Sequence, residues 1–423
     1  MIVIFLIVWF ILLIIGLPIV FSLGIVSIFY CIIMQIPLSI LPLRMVSSLD
    51  SFILLAVPLF IFAGRIMNRG GITERIFAFA KSLIGHIPGG LGHVNVLASM
   101  IFAGMSGSSI ADIGGLGTIE MKAMNDNGYE TDFSAGITLA SSTIGPIIPP
   151  SIPVIIYAQL ADVSVVKLFA GGIIPGIIMG ISLMGYIYFL SLKGKFPKEN
   201  KASLKQIYYS FVKAFPSLLS PAIIVGGILL GIMTPTEAAC VAVVYSILLS
   251  IIYKNFSLKY LIHEGIETAK ITGNVIFIFS VANFFAWVLT RERIPQLLAS
   301  LLLNISSNPS VVIFCIIIIG LIVGCFMEGI ASMIILVPVF VPLMNSLHLD
   351  LVHMGLVIII TMMLGSLTPP FGAGLFATAQ VAEISYERMV KAAIPFLIPL
   401  YIALLITAYV PTTVTFLSNL FAR

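Results

Sequence analysis

The feature that most constrains this chain is a pair of interrupted apolar stretches, residues 102–157 and residues 322–378. In the first stretch the apolar run is broken by a Gly- and Ser-rich string at residues 104–112 and again by a Pro-rich string at residues 145–153. A shift of 220 positions places the second stretch under the first. At this one offset nine positions of the first copy are identical to their partners: Gly104, Ile110, Ala111, Leu116, Met124, Asn125, Gly145, Pro149 and Pro150.

The composition places these interruptions inside a membrane. Hydrophobic residues make up 60% of the chain and charged residues 9%, with a mean hydropathy of +1.18, whereas globular domains carry roughly 25% charged residues. Non-helical backbone at membrane depth survives only when it is buried in protein or lines a cavity. Matched Gly/Pro interruptions in two halves indicate the midplane site of a secondary transporter. We therefore predict an all-α polytopic membrane protein in which each half has a re-entrant helical hairpin and a discontinuous helix.

The charge pattern predicts the orientation of the two halves. In a membrane chain, a net charge of +4 reports on which loops face the cytoplasm. It does not indicate nucleic acid binding. A Lys-rich loop at residues 193–213 is predicted to be cytoplasmic, and two spans then return the chain to Lys254, Lys259 and Lys270 on the same side. One further crossing precedes the second copy, so the two repeats are predicted to have inverted topology.

These boundaries divide the chain into six predicted segments. They are N-terminal scaffold helices with an interfacial arm (residues 1–90), the first repeat (91–192), the cytoplasmic basic loop (193–213), scaffold helices with a second arm (214–309), the second repeat (310–410) and a C-terminal tail (411–423).

Several polar residues at predicted membrane depth have two readings. Asp112 is expected either to cap the returning helix of the first hairpin or to bind an ion directly. Glu328 is expected either to pair with Arg291 or Arg293 in a structural role or to have a functional role at the site. The string at residues 234–237 reads as a capping box that begins a span.

Other functional classes find little support in the sequence. No HExxH, P-loop or dinucleotide motif is present, so neither ATP nor a redox cofactor is implied. The four cysteines lack CxxC spacing, and a metal site at His348, Asp350 and His353 is not favoured because these residues lie in a loop. Residues 104–107 match the GxSG string of rhomboid-type intramembrane proteases. That mechanism needs a histidine base, and the histidines here fall near predicted span ends, so we expect a transporter and no enzyme.

Four strings at the interruptions are long and distinctive. They are residues 102–112, residues 145–151 with Tyr157, Met327 and Glu328 ahead of Pro338 and Pro342, and residues 365–376. Together they resemble the large membrane subunit, the M or DctM-type permease, of tripartite ATP-independent periplasmic (TRAP) transporters.

The resemblance implies sodium-coupled symport of an organic acid such as a C4-dicarboxylate or a sialic acid. It implies delivery by a periplasmic substrate-binding protein, a separate small membrane subunit, a bacterial inner-membrane location and an elevator mechanism in a fold like that of the ion transporter superfamily. Sodium would be the coupling ion, with no other cofactor. The nearest alternative is a sodium-coupled dicarboxylate carrier that works without a binding protein.

The resemblance also implies where the ions and the substrate bind. The predicted ligands of the first sodium ion are Ser106, Ser109, Gly145 and Pro149. The predicted ligands of the second are Gly324, Gly329, Gly365 and Thr368. The substrate carboxylate is predicted between the hairpin tips, near Ser108, Ser151 and Phe371. Oxygen ligands suit sodium, and the N-termini of half-helices attract carboxylates.

Overall fold

The computed structural model describes residues 2–194, 196–197, 200–306 and 308–421. Within these residues the regular secondary structure is helical, with no strand. The helices are named in chain order, and the two predicted interruptions separate them at the expected places.

The N-terminal part of the chain forms five helices. The first helix ends at Ile14, and Pro18 immediately precedes the second helix. A short 3-10 turn at Phe52–Leu55 precedes the fourth helix. The helices are α1 (Ile2–Ile14), α2 (Ile19–Ile33), α3 (Ile40–Ser47), α4 (Ala56–Arg69) and α5 (Ile72–Ile84).

The next six helices contain the first hairpin and the first discontinuous helix. In the hairpin, Asn95 Nδ2 on the outgoing helix donates to Glu120 Oε2 on the returning one at 2.8 Å, so the two arms lie antiparallel. The residues between α9 and α10 are not helical, and the peptide bond between Pro149 and Pro150 is cis. The helices are α6 (Gly90–Ser106), α7 (Ser109–Gly114), α8 (Leu116–Asp126), α9 (Thr131–Ser142), α10 (Ile152–Ala161) and α11 (Val165–Lys193).

Four helices follow that connect the two repeats. The predicted capping box is confirmed at the start of the second: Thr234 N donates to Glu237 Oε2 at 2.8 Å, and Glu237 N donates to Thr234 Oγ1 at 3.3 Å. Pro235 is the first residue of that helix, where its missing N–H is harmless. The helices are α12 (Leu204–Leu229), α13 (Pro235–Ile252), α14 (Leu258–Arg291) and α15 (Ile294–Ile305).

The C-terminal part contains the second hairpin and the second discontinuous helix. The cis bond between Pro369 and Pro370 lies 220 positions after the one at Pro149 and Pro150. The helices are α16 (Pro309–Phe326), α17 (Gly329–Ser346), α18 (Leu351–Gly365), α19 (Ala373–Val381), α20 (Tyr386–Tyr409) and α21 (Thr412–Leu420).

The 220-residue offset extends beyond the two interruptions to helix bounds. It carries α6 onto α16, the joined range of α7 and α8 onto α17, and the start of α9 onto the start of α18. It also carries α2 near α13 and α5 near α15, so the repeats include the scaffold helices. Between the start of α2 and the start of α13, the chain crosses the membrane an odd number of times. The crossing segments are α2, the α3–α4 pair, α9–α10, α11 and α12. The repeats therefore have inverted topology.

The length and composition of the helices suit a membrane protein. Among the described residues, seven helices are long and apolar enough to cross a bilayer. The number rises to eight if the bent pair at Ile40–Ser47 and Phe52–Asn68, which meets at 65°, forms one span. The chain is therefore a multi-pass protein.

Two predicted segments differ from the structure. The basic loop predicted at residues 193–213 is shorter, because α12 begins at Leu204 with a capping box between Ser203 and Gln206. The tail predicted at residues 411–423 contains α21. Lys195 and Lys198 of the predicted loop lie outside the described residues.

Candidate functional site

The tip of the first hairpin packs directly on the first Pro-rich break. A Cβ atom on Gly107 would lie 2.7 Å from the Pro150 carbonyl oxygen, and one on Gly104 would lie 3.6 Å from that of Pro149. A Cβ on Gly145 would lie 3.8 Å from the Ser108 backbone nitrogen. Gly107 also has a φ of +58°, which a residue with a side chain adopts at a cost. The contact of the two backbones thus depends on glycine.

This contact brings the predicted ligands of the first sodium ion to one place. Ser109 begins α7, and its buried Oγ has no hydrogen-bond partner in the described part of the chain. Gly145 and Pro149 come from the break beside it. Ser106 ends α6, but its side chain lies outside the described residues. An unpaired hydroxyl beside non-helical backbone is an arrangement that a hard cation can use.

The second tip and the second break make the corresponding contact. A Cβ on Gly365 would lie 2.8 Å from Gly324 Cα, and one on Gly329 would lie 3.3 Å from the Met362 carbonyl oxygen. The Thr368 hydroxyl donates to the Leu364 carbonyl at 2.8 Å and lies 2.7 Å from the Tyr401 hydroxyl. The structure therefore brings together the four predicted residues of the second sodium site.

A cleft of about 40 Å³ lies between the two tips. Ser108 and Ser109 line it from the first hairpin, Glu328 from the second, and Ser366 from the second break. Since both hairpins and both breaks contribute to its walls, this cleft is where the repeats meet. A small polar molecule held there would contact both halves of the permeation machinery.

The predicted substrate residues occupy different positions around this cleft. Ser108 lines it and also caps α7, accepting from the Ala111 N–H at 3.5 Å. Ser151 is buried, and its hydroxyl is engaged with the Pro146 carbonyl while it caps α10 by accepting from the Val154 N–H. Phe371 is exposed and packs on Phe326 with ring centroids 5.4 Å apart. Of the three, Ser108 has the direct access that a ligand requires.

The helix ends at the two tips differ from the sequence prediction. Ser108, and not Asp112, caps the returning helix of the first hairpin, and the reading of the buried Asp112 as a direct ion ligand stays a prediction. Glu328 is the N-cap of α17, where its Oε2 accepts from the N–H groups of Ile330 at 3.0 Å and Ala331 at 3.2 Å. The prediction that it pairs with Arg291 or Arg293 is therefore corrected, because the helix end already satisfies the carboxylate.

Other acids lie at turns and helix ends. Asp162 and Glu383 lie in left-handed backbone conformations after α10 and α19, and Ser164 and Ser385 cap the helices that follow. Asp350 caps α18 by accepting from Val352 N at 2.7 Å. These positions have a sufficient explanation in the local backbone.

Some residues at the site were missed by sequence reasoning. Ser366 lies in the second break, next to Gly365, and could have been proposed from the repeat. Tyr401 reaches Thr368 from α20, a helix with no polar pattern that marks one of its residues for the site. Such long-range contacts leave no local signal.

The comparisons with known proteins bear on the whole chain. The profile of the family described as "Tripartite ATP-independent periplasmic transporter, DctM component" matches residues 6–413. The chain is 42% identical to the sialic acid TRAP transporter large permease protein SiaM of Vibrio cholerae, over 98% of this chain and 97% of that protein. The chain belongs to the DctM family of TRAP transporter permeases. It is thus a transporter subunit of the bacterial inner membrane, and the intramembrane protease reading is excluded.

Two further likenesses support the DctM fold. The permease is 38% identical to the C4-dicarboxylate TRAP transporter large permease protein DctM of Pseudomonas aeruginosa, over 90% of this chain and 89% of that one. Its fold resembles that of the Alcanivorax borkumensis YdaH transporter, with a TM-score of 0.60, 14% identity, and coverage of 88% of this chain and 89% of that one. The crystal structure of YdaH was described as revealing an unusual topology.

Proposed function

We propose that this permease carries an organic acid across the inner membrane in symport with sodium. The observation that carries the proposal is the meeting of two inverted, glycine-dependent tip-and-break contacts at one cleft. The unpaired Ser109 hydroxyl in the first contact supports sodium binding there, and the backbone contacts at Gly324 and Gly365 support a second ion. Ser108 is the proposed contact for the substrate carboxylate.

The substrate class is proposed from relatives together with the cleft. Two similar permeases are named for sialic acid and for C4-dicarboxylates, which are both carboxylates. The cleft carries the hydroxyls of Ser108 and Ser109 on its walls, and hydroxyl groups can donate hydrogen bonds to a carboxylate. We therefore assign the cargo to organic acids.

The partners follow from family membership. The proposed complex contains a separate small membrane subunit and a periplasmic protein that delivers the acid. The two hairpins and two broken helices form the proposed transport half, which slides as an elevator against a scaffold of α1 to α5 and α12 to α15.

Reconstitution tests the function directly. The permease and its small subunit, placed in liposomes, are expected to accumulate radiolabelled acid when a sodium gradient and the binding protein are both supplied. Ser109→Ala should insert normally yet lose the sodium dependence, because it removes an unpaired hydroxyl of the first site. Uptake of free acid without the binding protein would favour the stand-alone carrier, and uptake that ignores sodium would contradict the coupling.

A further inference from the structure

A second set of polar side chains lies behind the first hairpin tip, away from the cleft walls. Its members come from the four helices α6, α7, α8 and α9, and all are buried. They are Asn95, Ser99, Asp112, Glu120, Thr138 and Ser141, and together they are called the hairpin polar cluster.

The cluster is ordered by a chain of hydrogen bonds. Asn95 Nδ2 donates to Glu120 Oε2 and to Thr138 Oγ1, both at 2.8 Å. The Ser141 hydroxyl donates to Asn95 Oδ1 at 2.7 Å. These bonds fix one oxygen of Glu120 and leave the other free to meet a further group.

Two carboxylate oxygens in the cluster have no partner. Asp112 Oδ1 and Glu120 Oε1 are buried without a hydrogen bond in the described part of the chain, although the parent residues are 3% and 0% exposed. The carboxylates of Asp112 and Glu120 interact electrostatically with each other. The Ser99 hydroxyl lies beside the Asp112 carboxylate. Among the described residues neither acid forms an ion pair with Lys, Arg or His. Buried charges are normally paired or bound to a metal, so this pair lacks a positive partner.

The second repeat shows that the cluster is not needed to build the hairpin. At the 220-residue offset Asn95, Ser99, Asp112 and Glu120 correspond to Cys315, Ile319, Ser332 and Phe340. Thr138 corresponds to Ile358. The same hairpin thus forms with a largely apolar interior in the second repeat, and the two acids of the first repeat require another explanation.

We propose that the hairpin polar cluster binds a sodium ion between Asp112 Oδ1 and Glu120 Oε1, separate from the two sites at the tips. Carboxylate and hydroxyl oxygens are the ligands of hard cations. Calcium takes about six to eight oxygens and magnesium keeps several waters, whereas two oxygens of the cluster, Asp112 Oδ1 and Glu120 Oε1, are without a hydrogen-bond partner in the described part of the chain. A transition metal would favour a group of several such ligands. No group of three or more His, Cys, Asp or Glu that could hold a metal occurs among the described residues.

An ion at this position would act on the tip through the helices that carry its ligands. Asp112 lies one helical turn after Ser109, and the helix of Thr138 and Ser141 runs into the break that holds Gly145. The ion therefore joins both arms of the hairpin to the helix before the break. Sodium binding is expected to stabilise the docked tip.

The test is equilibrium binding of radioactive sodium to the purified full chain, with thermal unfolding measured in sodium and in choline. Glu120→Gln keeps the shape and the Asn95 contact but removes the charge, so it should lower sodium affinity at this site by at least about 10-fold. It should also remove part of the sodium-dependent rise in melting temperature. Asp132→Asn is the matched control, because Asp132 pairs with Arg388 at an exposed position.

Ion binding is measured without uptake, so this inference can succeed or fail independently of sodium-coupled transport. Unchanged sodium binding and unchanged sodium-dependent stabilisation in Glu120→Gln would overturn it and indicate a proton held between the two acids. If that variant does not fold, a hydrophobic carbodiimide applied to the native chain decides the question. Sodium, and not choline, should protect Asp112 and Glu120 from modification, as read by peptide mass spectrometry. Equal modification of Asp112 and Glu120 in sodium and in choline overturns the proposed sodium site. The absence of modification in both salts also overturns it.

Discussion

At the level of single residues, the contact between the second tip and the second break depends on two glycines that leave no room for side chains. A Cβ on Gly324 would lie 3.1 Å from Gly365 Cα, and one on Gly365 would lie 2.8 Å from Gly324 Cα. The closely packed interior makes such an added methyl costly. Gly104 and Gly145 hold the same positions in the first repeat, but a Cβ on Gly104 would lie 2.6 Å from Pro221 Cβ and one on Gly145 would lie 3.3 Å from the Ser142 carbonyl oxygen.

Gly324→Ala is expected to destabilise the permease by about 1–3 kcal/mol, because the new methyl overpacks the contact with Gly365. Gly226→Ala is the control: Gly226 is also within a helix, but a Cβ there meets nothing within 4 Å. Alanine should stabilise that helix by about 0.5–1 kcal/mol. Thermal unfolding in detergent measures both variants, and an equal midpoint for the two would contradict the glycine contact.

At the level of elements, helix ends account for most polar residues at the breaks and tips. Glu328 and Asp350 each place one carboxylate oxygen on two backbone N–H groups, at the starts of α17 and α18. They differ in location, because Glu328 lines the cleft and Asp350 does not. The second tip thus carries its own carboxylate where the first tip carries a serine.

Replacing either cap should cost about 1 kcal/mol of stability. Glu328→Ala and Asp350→Ala are both expected to lower the melting temperature, while Glu328→Gln, which keeps an acceptor oxygen, should lower it less. Only Glu328→Ala should also change the acid concentration needed for half-maximal uptake, because only Glu328 lies on the cleft. If Asp350→Ala changed the acid concentration for half-maximal uptake to a similar extent, the distinction between a cap on the cleft and a cap away from it would be wrong.

The sequence predicted those elements whose signals are local. Gly and Pro strings marked both tips and both breaks, and the capping box at Thr234 marked the start of α13. The length of α14 could not be predicted, because Lys259 and Lys270 read as a loop. Glu264 stays inside that helix since its Oε2 lies 2.6 Å from Arg65 Nε, a contact between residues 199 positions apart. The hairpin polar cluster is scattered over four helices and was missed for the same reason.

At the level of the whole molecule, the elevator proposal divides the chain into a part that moves and a part that stays. Hydrogen bonds cross the proposed boundary, among them one in which Ser51 Oγ, before α4 of the scaffold, donates to Gln159 Oε1 on α10 at 2.5 Å. Another hydrogen bond lies within the scaffold, where the hydroxyls of Ser82 on α5 and Ser210 on α12 are 2.7 Å apart. The two pairs provide a matched comparison.

Cysteine pairs at these positions test the motion, in a background without the four native cysteines. Cross-linking Ser51→Cys with Gln159→Cys by a short bifunctional thiosulfonate should stop acid uptake, because it ties the moving half to the scaffold. Cross-linking Ser82→Cys with Ser210→Cys should leave uptake largely intact. Reductant should restore the first protein. Full uptake by the cross-linked Ser51 and Gln159 pair would rule out sliding at this boundary.

The uninterrupted α14 has a mechanical consequence. At 1.5 Å per residue its 34 residues form a rod about 51 Å long, against a hydrocarbon thickness of about 30 Å. The rod therefore leans or projects into water, and the Glu267–Lys270 bridge near its first turns suits an aqueous end. The ion pair between Glu264 and Arg65 ties α14 to α4, so in the proposed elevator α14 would belong to the stationary part.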